Sequence, residues 1–403
     1  MAGAAKFLAT LIIGIALIWL GFWWYAQSRL QSGFTDWAEK QATNGVKISY
    51  DSIHRGTSIL DAAITIDNLT LTLPPAPDGT AAAISLPAVT LRIHALDPLV
   101  FHTDLPDKIG FDSGKIDLVC NTGSIALTEN LDPDKLFSSS ASPFRGGDFS
   151  AGNVDILASE GSLLVLHIDA VSSHAELNPE AGAASIAVYS KTAFDGLAIS
   201  PLLTRLASIP FGGKLAHLEL AARISGPEPP DLPAVLNQLD SQPHDLADER
   251  KSLVPLIHKW AAQGGSGTIA LRAILGPSTI DAAGAVKFDA NLQPEGTADL
   301  TANHLDQFTG ALTDSYPALQ GDIARAEAQL SPYLGDSDLG GQTLTLHVVY
   351  GTPGVFINGQ KTADMPPLDW TAAENPAPAI QAPGDGSGAA GPGAAGPPSS
   401  ENQ

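Results

Sequence analysis

The sequence predicts an α+β protein, mostly β, in which an N-terminal transmembrane helix precedes a large antiparallel β-sheet domain with interspersed helices. Three observations predict it. Residues 7–26 form one apolar run without a charge. Many later segments alternate apolar and polar residues, the period of a strand with one buried face. A short unit, a glycine followed by apolar residues at alternate positions, returns along the chain.

Phe7 to Ala26 is twenty residues, about 30 Å as a helix, which matches the hydrocarbon thickness of a bilayer. Phe7, Leu11, Ile15, Ile18 and Trp19 are the candidate anchor residues within it. Trp23, Trp24 and Tyr25 end the run, where amphipathic rings favour the headgroup layer. A cleaved signal peptide is the competing reading, with Ala26 and Ser28 as a small-residue site. The run is too long and its end too bulky for that. No face of the segment is polar, which argues against a buried core helix.

Residues 27–45 read as an amphipathic linker helix that continues the first. Leu30, Phe34, Trp37, Ala38 and Gln41 share a face, and Asn44-Gly45 is a stop signal. Residues 46–373 form the expected β-rich domain. Val46 to Tyr50 alternates, as does Ile64-Thr65-Ile66. Leu69 to Leu73 then resumes with its phase slipped by one, which predicts a bulge near Asn68. Val89, Leu91 and Ile93 alternate with Thr90, Arg92 and His94.

The glycine unit begins at Gly114, Gly123, Gly152, Gly267, Gly284 and Gly296. Glycine supplies a positive φ to a tight turn and the alternation after it is a strand, so a meander of hairpins is expected. Helical periodicity marks Asp231 to Asp240, Asp245 to Ala262 with Pro255 inside, a segment around Leu305 to Leu312, and Ile323 to Leu330. The helical stretch 228–263 is a candidate subdivision of the domain. Leu344, Leu346 and Val348 form a late strand, and Val355 to Gly359 turns and closes. Residues 374–403 are Pro, Gly, Ala and Ser in the main, a composition expected to stay disordered.

The chain has 403 residues, 44% of them hydrophobic, and a formal net charge of -22. Such a surface repels phosphate backbones, so nucleic acid is not an expected partner. It repels anionic headgroups as well, so membrane contact outside the anchor should be apolar rather than polybasic. The single cysteine, Cys120, can form neither an internal disulfide nor a thiolate zinc site alone.

Two stretches carry a family resemblance. The first is the apolar helix ending Trp23-Trp24-Tyr25-x-Ala, then Gly45-Val-Lys-Ile-Ser-Tyr50, Ile53 and Gly56. It resembles a bacterial family of N-terminally anchored periplasmic proteins, mainly alphaproteobacterial, described only as a domain of unknown function. The second is Ser266 to Leu271, Gly284 to Asp289, Pro294 to Leu300 and Phe356 to Gly359. It resembles the strand-turn units of AsmA-like envelope proteins. The first resemblance implies residues 1–6 in the cytoplasm, a single pass through the bacterial inner membrane, and the bulk of the chain in the periplasm. The second implies that the sheet is curved, with an inner apolar face that holds lipid.

Catalytic, cofactor and metal signatures are absent from the sequence. The ten histidines form no H-E-x-x-H and no close pair at ligand spacing. Gly264 to Thr268 lacks the second glycine of a nucleophile elbow. Gly391 to Gly396 matches a dinucleotide fingerprint in letters only, within the expected disordered tail. Asp336-x-Asp338 lacks the acidic residue that would complete a calcium loop. The expected function is therefore non-enzymatic: an envelope protein binding an apolar ligand such as lipid, with the bilayer as a partner. The alternative is a periplasmic scaffold that docks another envelope protein; a hydrolase with an unrecognised site is a third class.

Overall fold

A computed structural model describes residues 2–43, 45–58, 60–75, 80–133, 144–158, 162–178, 180–183, 185–227, 246–336 and 340–370. The expected helix at 231–240 and the tail 374–403 lie outside the described residues.

Helix α1 (Ala2–Thr43) is continuous, so apolar run and linker are one rod. It ends as a glycine stop should. Gly45 takes φ +82°, its N–H donates to Ala42 O at 3.1 Å, and Val46 N–H reaches Gln41 O at 3.1 Å. That pair of bonds satisfies the last carbonyls. Among the described residues no helix is long and apolar enough to cross a membrane. The side chains of Phe7, Leu11, Ile15, Ile18 and Trp19 lie outside the described residues.

All strands join one antiparallel sheet. Its first part contains β1 (Lys47–Ser49), β2 (Ser52–Arg55), β3 (Asp61–Thr72), β4 (Ala83–His94), β5 (Asp97–Asp104), β6 (Lys108–Asp112), β7 (Asp117–Asn121) and β8 (Ser124–Leu131). The meander continues through β9 (Phe144–Ala158), β10 (Leu163–Leu177), β11 (Ile186–Ile199), β12 (Lys214–Ser225), β13 (Ser266–Leu275), β14 (Ser278–Phe288) and β15 (Pro294–Asn303). It closes with β16 (Leu334–Asp336), β17 (Gln342–Gly351), β18 (Gly354–Ile357) and β19 (Gln360–Asp364). A short helix α2 (Pro201–Leu206) follows β11, α3 (Leu246–Ala262) precedes β13, and α4 (Leu305–Ser315) and α5 (Gln320–Leu330) follow β15.

The expected division at 228–263 does not interrupt the sheet. Strands β12 and β13 pair directly from His217–Ile274 to Ser225–Ser266, so helix α3 lies between two strands that are neighbours in the sheet. Its Trp260 donates Nε1–H to Ser225 O at 2.9 Å and meets Phe288 edge-on.

The bulge expected at Asn68 is a different device. Asn68 is left-handed, at φ 50°. Asp67–Ala88 and Leu69–Leu86 nevertheless keep one register, with no residue inserted. Both strands reverse phase together, across Asn68 and Pro87. Ile64, Ile66, Leu69, Leu86 and Val89 therefore all enter the same core with Phe34 of α1.

The glycine unit is corrected more broadly. Only Gly114 has a positive φ, 72°. Gly123 is a bend before β8, while Gly152, Gly267, Gly284 and Gly296 lie inside strands. Gly296 and Gly152 serve close approach instead of turning, whereas a Cβ on Gly267 or Gly284 would meet only ordinary contacts. A Cβ on Gly296 would collide with Ala285 O and the Tyr350 ring, and one on Gly152 would press on Ser124. Hairpin turns use other residues, Gly276 at φ 58° and Asn358-Gly359 at φ 48° and 80°.

A candidate apolar groove beneath the first helix

Successive pairings carry one row of residues across the sheet. Ile64 lies opposite Leu91, Leu91 opposite Thr103, and Thr103 opposite Leu127. The row continues through Phe149, Ser173, Thr192 and Leu220. It ends through Leu271, Ala282, Leu300 and Leu346. No member is charged. The adjacent row on the opposite face holds Glu219, Arg272, Asp281, Thr301 and Thr345. Period-2 alternation has thus sorted the sheet into an apolar face and a polar one.

The C-terminal half of α1 covers one end of the apolar face. Trp23 donates Nε1–H to Ser58 O at 2.7 Å and Asp61 O at 2.9 Å. Four residues on, Gln27 is fully buried and donates Nε2–H to Gly56 O at 2.9 Å and Ala63 O at 3.2 Å. Phe34 then packs edge-on to Tyr50, with ring centroids 5.4 Å apart. Glutamine and tryptophan serve here because the carbonyls of residues 56–63 need donors that a wholly apolar helix face lacks.

Helix and sheet meet along β3 and diverge over β5 and β8. The gap is a cavity of about 630 Å³, within the usual size of a small-molecule site. Tyr25, Arg29, Leu30, Gly33 and Trp37 line it from the helix. Leu91, Ile93, Phe101, Thr103, Leu131 and Phe144 line it from the sheet. Leu91 and Thr103 belong to the charge-free row, so the cavity is the covered end of a longer face. Farther along that face Leu220, Ile224 and Ile269 are exposed among the described residues.

Two acids enter the lining, Asp36 and Glu129. Glu129 faces Phe101 across the strands, and burial pushes its carboxyl up from its ordinary value. A carboxyl so displaced gives up its charge more readily on approach of an apolar ligand. Gly33 contributes space: a Cβ there would meet nothing within 4 Å.

Of the sequence-predicted anchor residues, Trp23 pins the helix to the sheet, Tyr25 lines the cavity and Trp24 is exposed. The glycine set is not gathered into a site. The cavity escaped sequence reading because its walls come from separate segments; the alternation of Phe101 with Thr103 and of Glu129 with Leu131 was the available signal. Cys120 packs beside the second core of Ala151, Val154 and Ile168, where burial raises its thiol pKa, with Asp155 adding to the shift. Among the described residues no three of His, Cys, Asp and Glu converge to hold a metal ion.

A family model described as an uncharacterized protein conserved in bacteria, DUF2125, matches residues 23–363. This is the kind of family that the N-terminal motif resembles, a bacterial domain of unknown function. No curated protein and no solved structure matches the chain.

Proposed function

Because the chain belongs to the DUF2125 family of bacterial proteins, whose activity is uncharacterised, we propose that it is a non-enzymatic envelope protein that holds an apolar ligand, a lipid chain, beneath α1. In this reading residues 7–26 anchor it in the inner membrane and the sheet lies in the periplasm. The observation that carries the reading is the 630 Å³ cavity at the covered end of the sheet's apolar face. Its helix wall runs from Tyr25 to Trp37, about 18 Å at 1.5 Å per residue. One leaflet of hydrocarbon is about 15 Å deep, so the wall is long enough for one extended acyl chain. The cavity also begins where the apolar run ends, so a chain would enter it without crossing water.

Lipid extraction and mass spectrometry test this. The full-length protein, purified in detergent, is expected to retain lipid. Gly33→Phe fills the cavity from the helix side, and retention is expected to fall about tenfold, equivalent to ~1.4 kcal/mol. Gly33→Ala should retain lipid as the parent does. Equal retention in the filled variant, or none in a folded parent, would remove the proposal.

A further inference from the structure

The end of the sheet from which α1 emerges carries an apolar rim unlike an ordinary set of loop tips. The two-residue turn joining β4 to β5 is Ala95-Leu96, and Leu96 is 85% exposed. Such turns favour Asn, Asp and Gly, and an exposed leucine at the tip is unfavourable in water. Beside it Leu60 is 52% exposed, and the Ala95 N–H donates to Leu60 O at 2.7 Å, which joins the two tips. Both stand level with Trp23, since the Trp23 indole donates to Ser58 O and Asp61 O on either side of Leu60. Trp24 at 60% and Leu20 at 50% exposure complete the apolar ring on the helix.

The helix runs along β3 from its start. Trp23 meets Asp61, Gln27 meets Ala63, and Gly45 lies beside Pro74. Residues before Trp23 therefore project past the end of the sheet where Leu60 and Leu96 sit. We propose that this rim seats in a lipid bilayer, with Leu60 and Leu96 inserted at the headgroup–acyl boundary beside Trp24. The proposal rests on the anchoring of residues 7–26. If that run spans the bilayer, Trp23 and Trp24 lie at its boundary, and the hydrogen bonds to residues 58 and 61 bring both tips to the same depth. A protein of net charge -22 needs such a contact to be apolar, since anionic headgroups repel it. The seated rim holds the cavity, with Tyr25 and Ile93 in its lining, close to the lipid surface.

Depth-dependent quenching tests the rim. The full-length chain carries Cys120→Ala and one environment-sensitive fluorophore at Leu96→Cys, or at Lys47→Cys on β1, which is exposed and pairs with Thr72 at the end of β3 opposite Asp61. Each is reconstituted into phosphatidylcholine–phosphatidylglycerol vesicles with and without spin-labelled lipid. The Leu96 probe is expected to shift to the blue and lose most of its emission to a shallow acyl-chain quencher, with the Lys47 probe unaffected. An unquenched Leu96 probe on protein that floats with the vesicles overturns the rim, assigns those leucines to another occupant, and leaves the anchor standing. Equal quenching at both positions overturns end-on seating. Protein that does not float with the vesicles overturns anchor and rim together.

Discussion

His167 touches two carboxylates at once, with Nδ1 at 2.6 Å from Asp155 and Nε2 at 3.0 Å from Asp169. It is one of five histidines among the described residues that sit directly opposite an aspartate on a neighbouring strand: His94–Asp61, His167–Asp155, His174–Asp148, His217–Asp195 and His347–Asp299. In the sequence these histidines look scattered, because register is what pairs them and register is a property of the fold. Hydrogen bonds to Asp155 and then Asp169 raise the His167 pKa above 6.5; those to Asp148 and Glu176 do the same for His174. A raised folded pKa means stability fully present below about pH 6.5 and lost as pH rises through the folded value. An NMR titration should therefore place both imidazoles above the ordinary value, and Asp155→Asn should lower His167 while leaving His174 in place. A second expectation concerns Gly296, where any side chain collides with Ala285 O and Tyr350. Gly296→Val should cost about 1–3 kcal/mol by overpacking, read as a lower midpoint in urea. Gly310, exposed on α4 with open space at its Cβ position, should tolerate the same change far better.

At the scale of elements, α1 combines two roles that the sequence separates only by composition. Its capping glycine and its amphipathic face at Leu30 and Phe34 were legible, because helix stops and 3.6-residue periodicity are local signals. Its attachment through Gln27 was not, since a lone glutamine carries no pattern. Gln27→Leu would leave the carbonyl of Gly56 without that donor and is expected to cost about 1–3 kcal/mol. Thermal unfolding of the full chain measures it, and loss of lipid retention should accompany it if the helix lifts from the groove. Gly33→Ala should act oppositely, stabilising by up to ~1 kcal/mol because glycine is the weaker helix former. The strands show why phase is a better guide than geometry. The slip at Asn68 was visible in the residues, but whether a slip means a bulge or a matched reversal depends on the partner strand. Here Pro87 falls opposite Asn68 and reverses with it, which keeps the pairings on either side in one register. The glycine unit failed for a related reason. A glycine inside a strand and one beginning it give the same letters, and only the backbone φ and the strand bounds tell them apart.

Over the whole molecule, the sheet is a chain of nearest neighbours, so its stability is approximately a sum over adjacent interfaces. Those interfaces are unequal. Strands β9 to β12 are 15, 15, 14 and 12 residues long, whereas β18 and β19 are 4 and 5. The sequence marked 228–263 as a division because a helical stretch between β segments ordinarily separates halves. Chain order cannot reveal that β12 and β13 re-pair across it. Hydrogen exchange distinguishes the two architectures. With an unbroken sheet, protection should be greatest in β10 to β12, remain high into β13 and β14, and decline toward β18 and β19, where few ladder bonds hold the edge. Exchange should thus follow distance from the centre of the sheet. If β13 to β15 instead opened together while β9 to β12 stayed protected, the β12–β13 ladder would be weaker than its pairing implies. The charge-free row would then be two faces and not one. Trp260 sharpens the measurement: it ties α3 to Ser225 on β12 and packs on Phe288 of β14. Trp260→Ala should speed exchange in β12 and β14 together, which a boundary between independent halves would not permit.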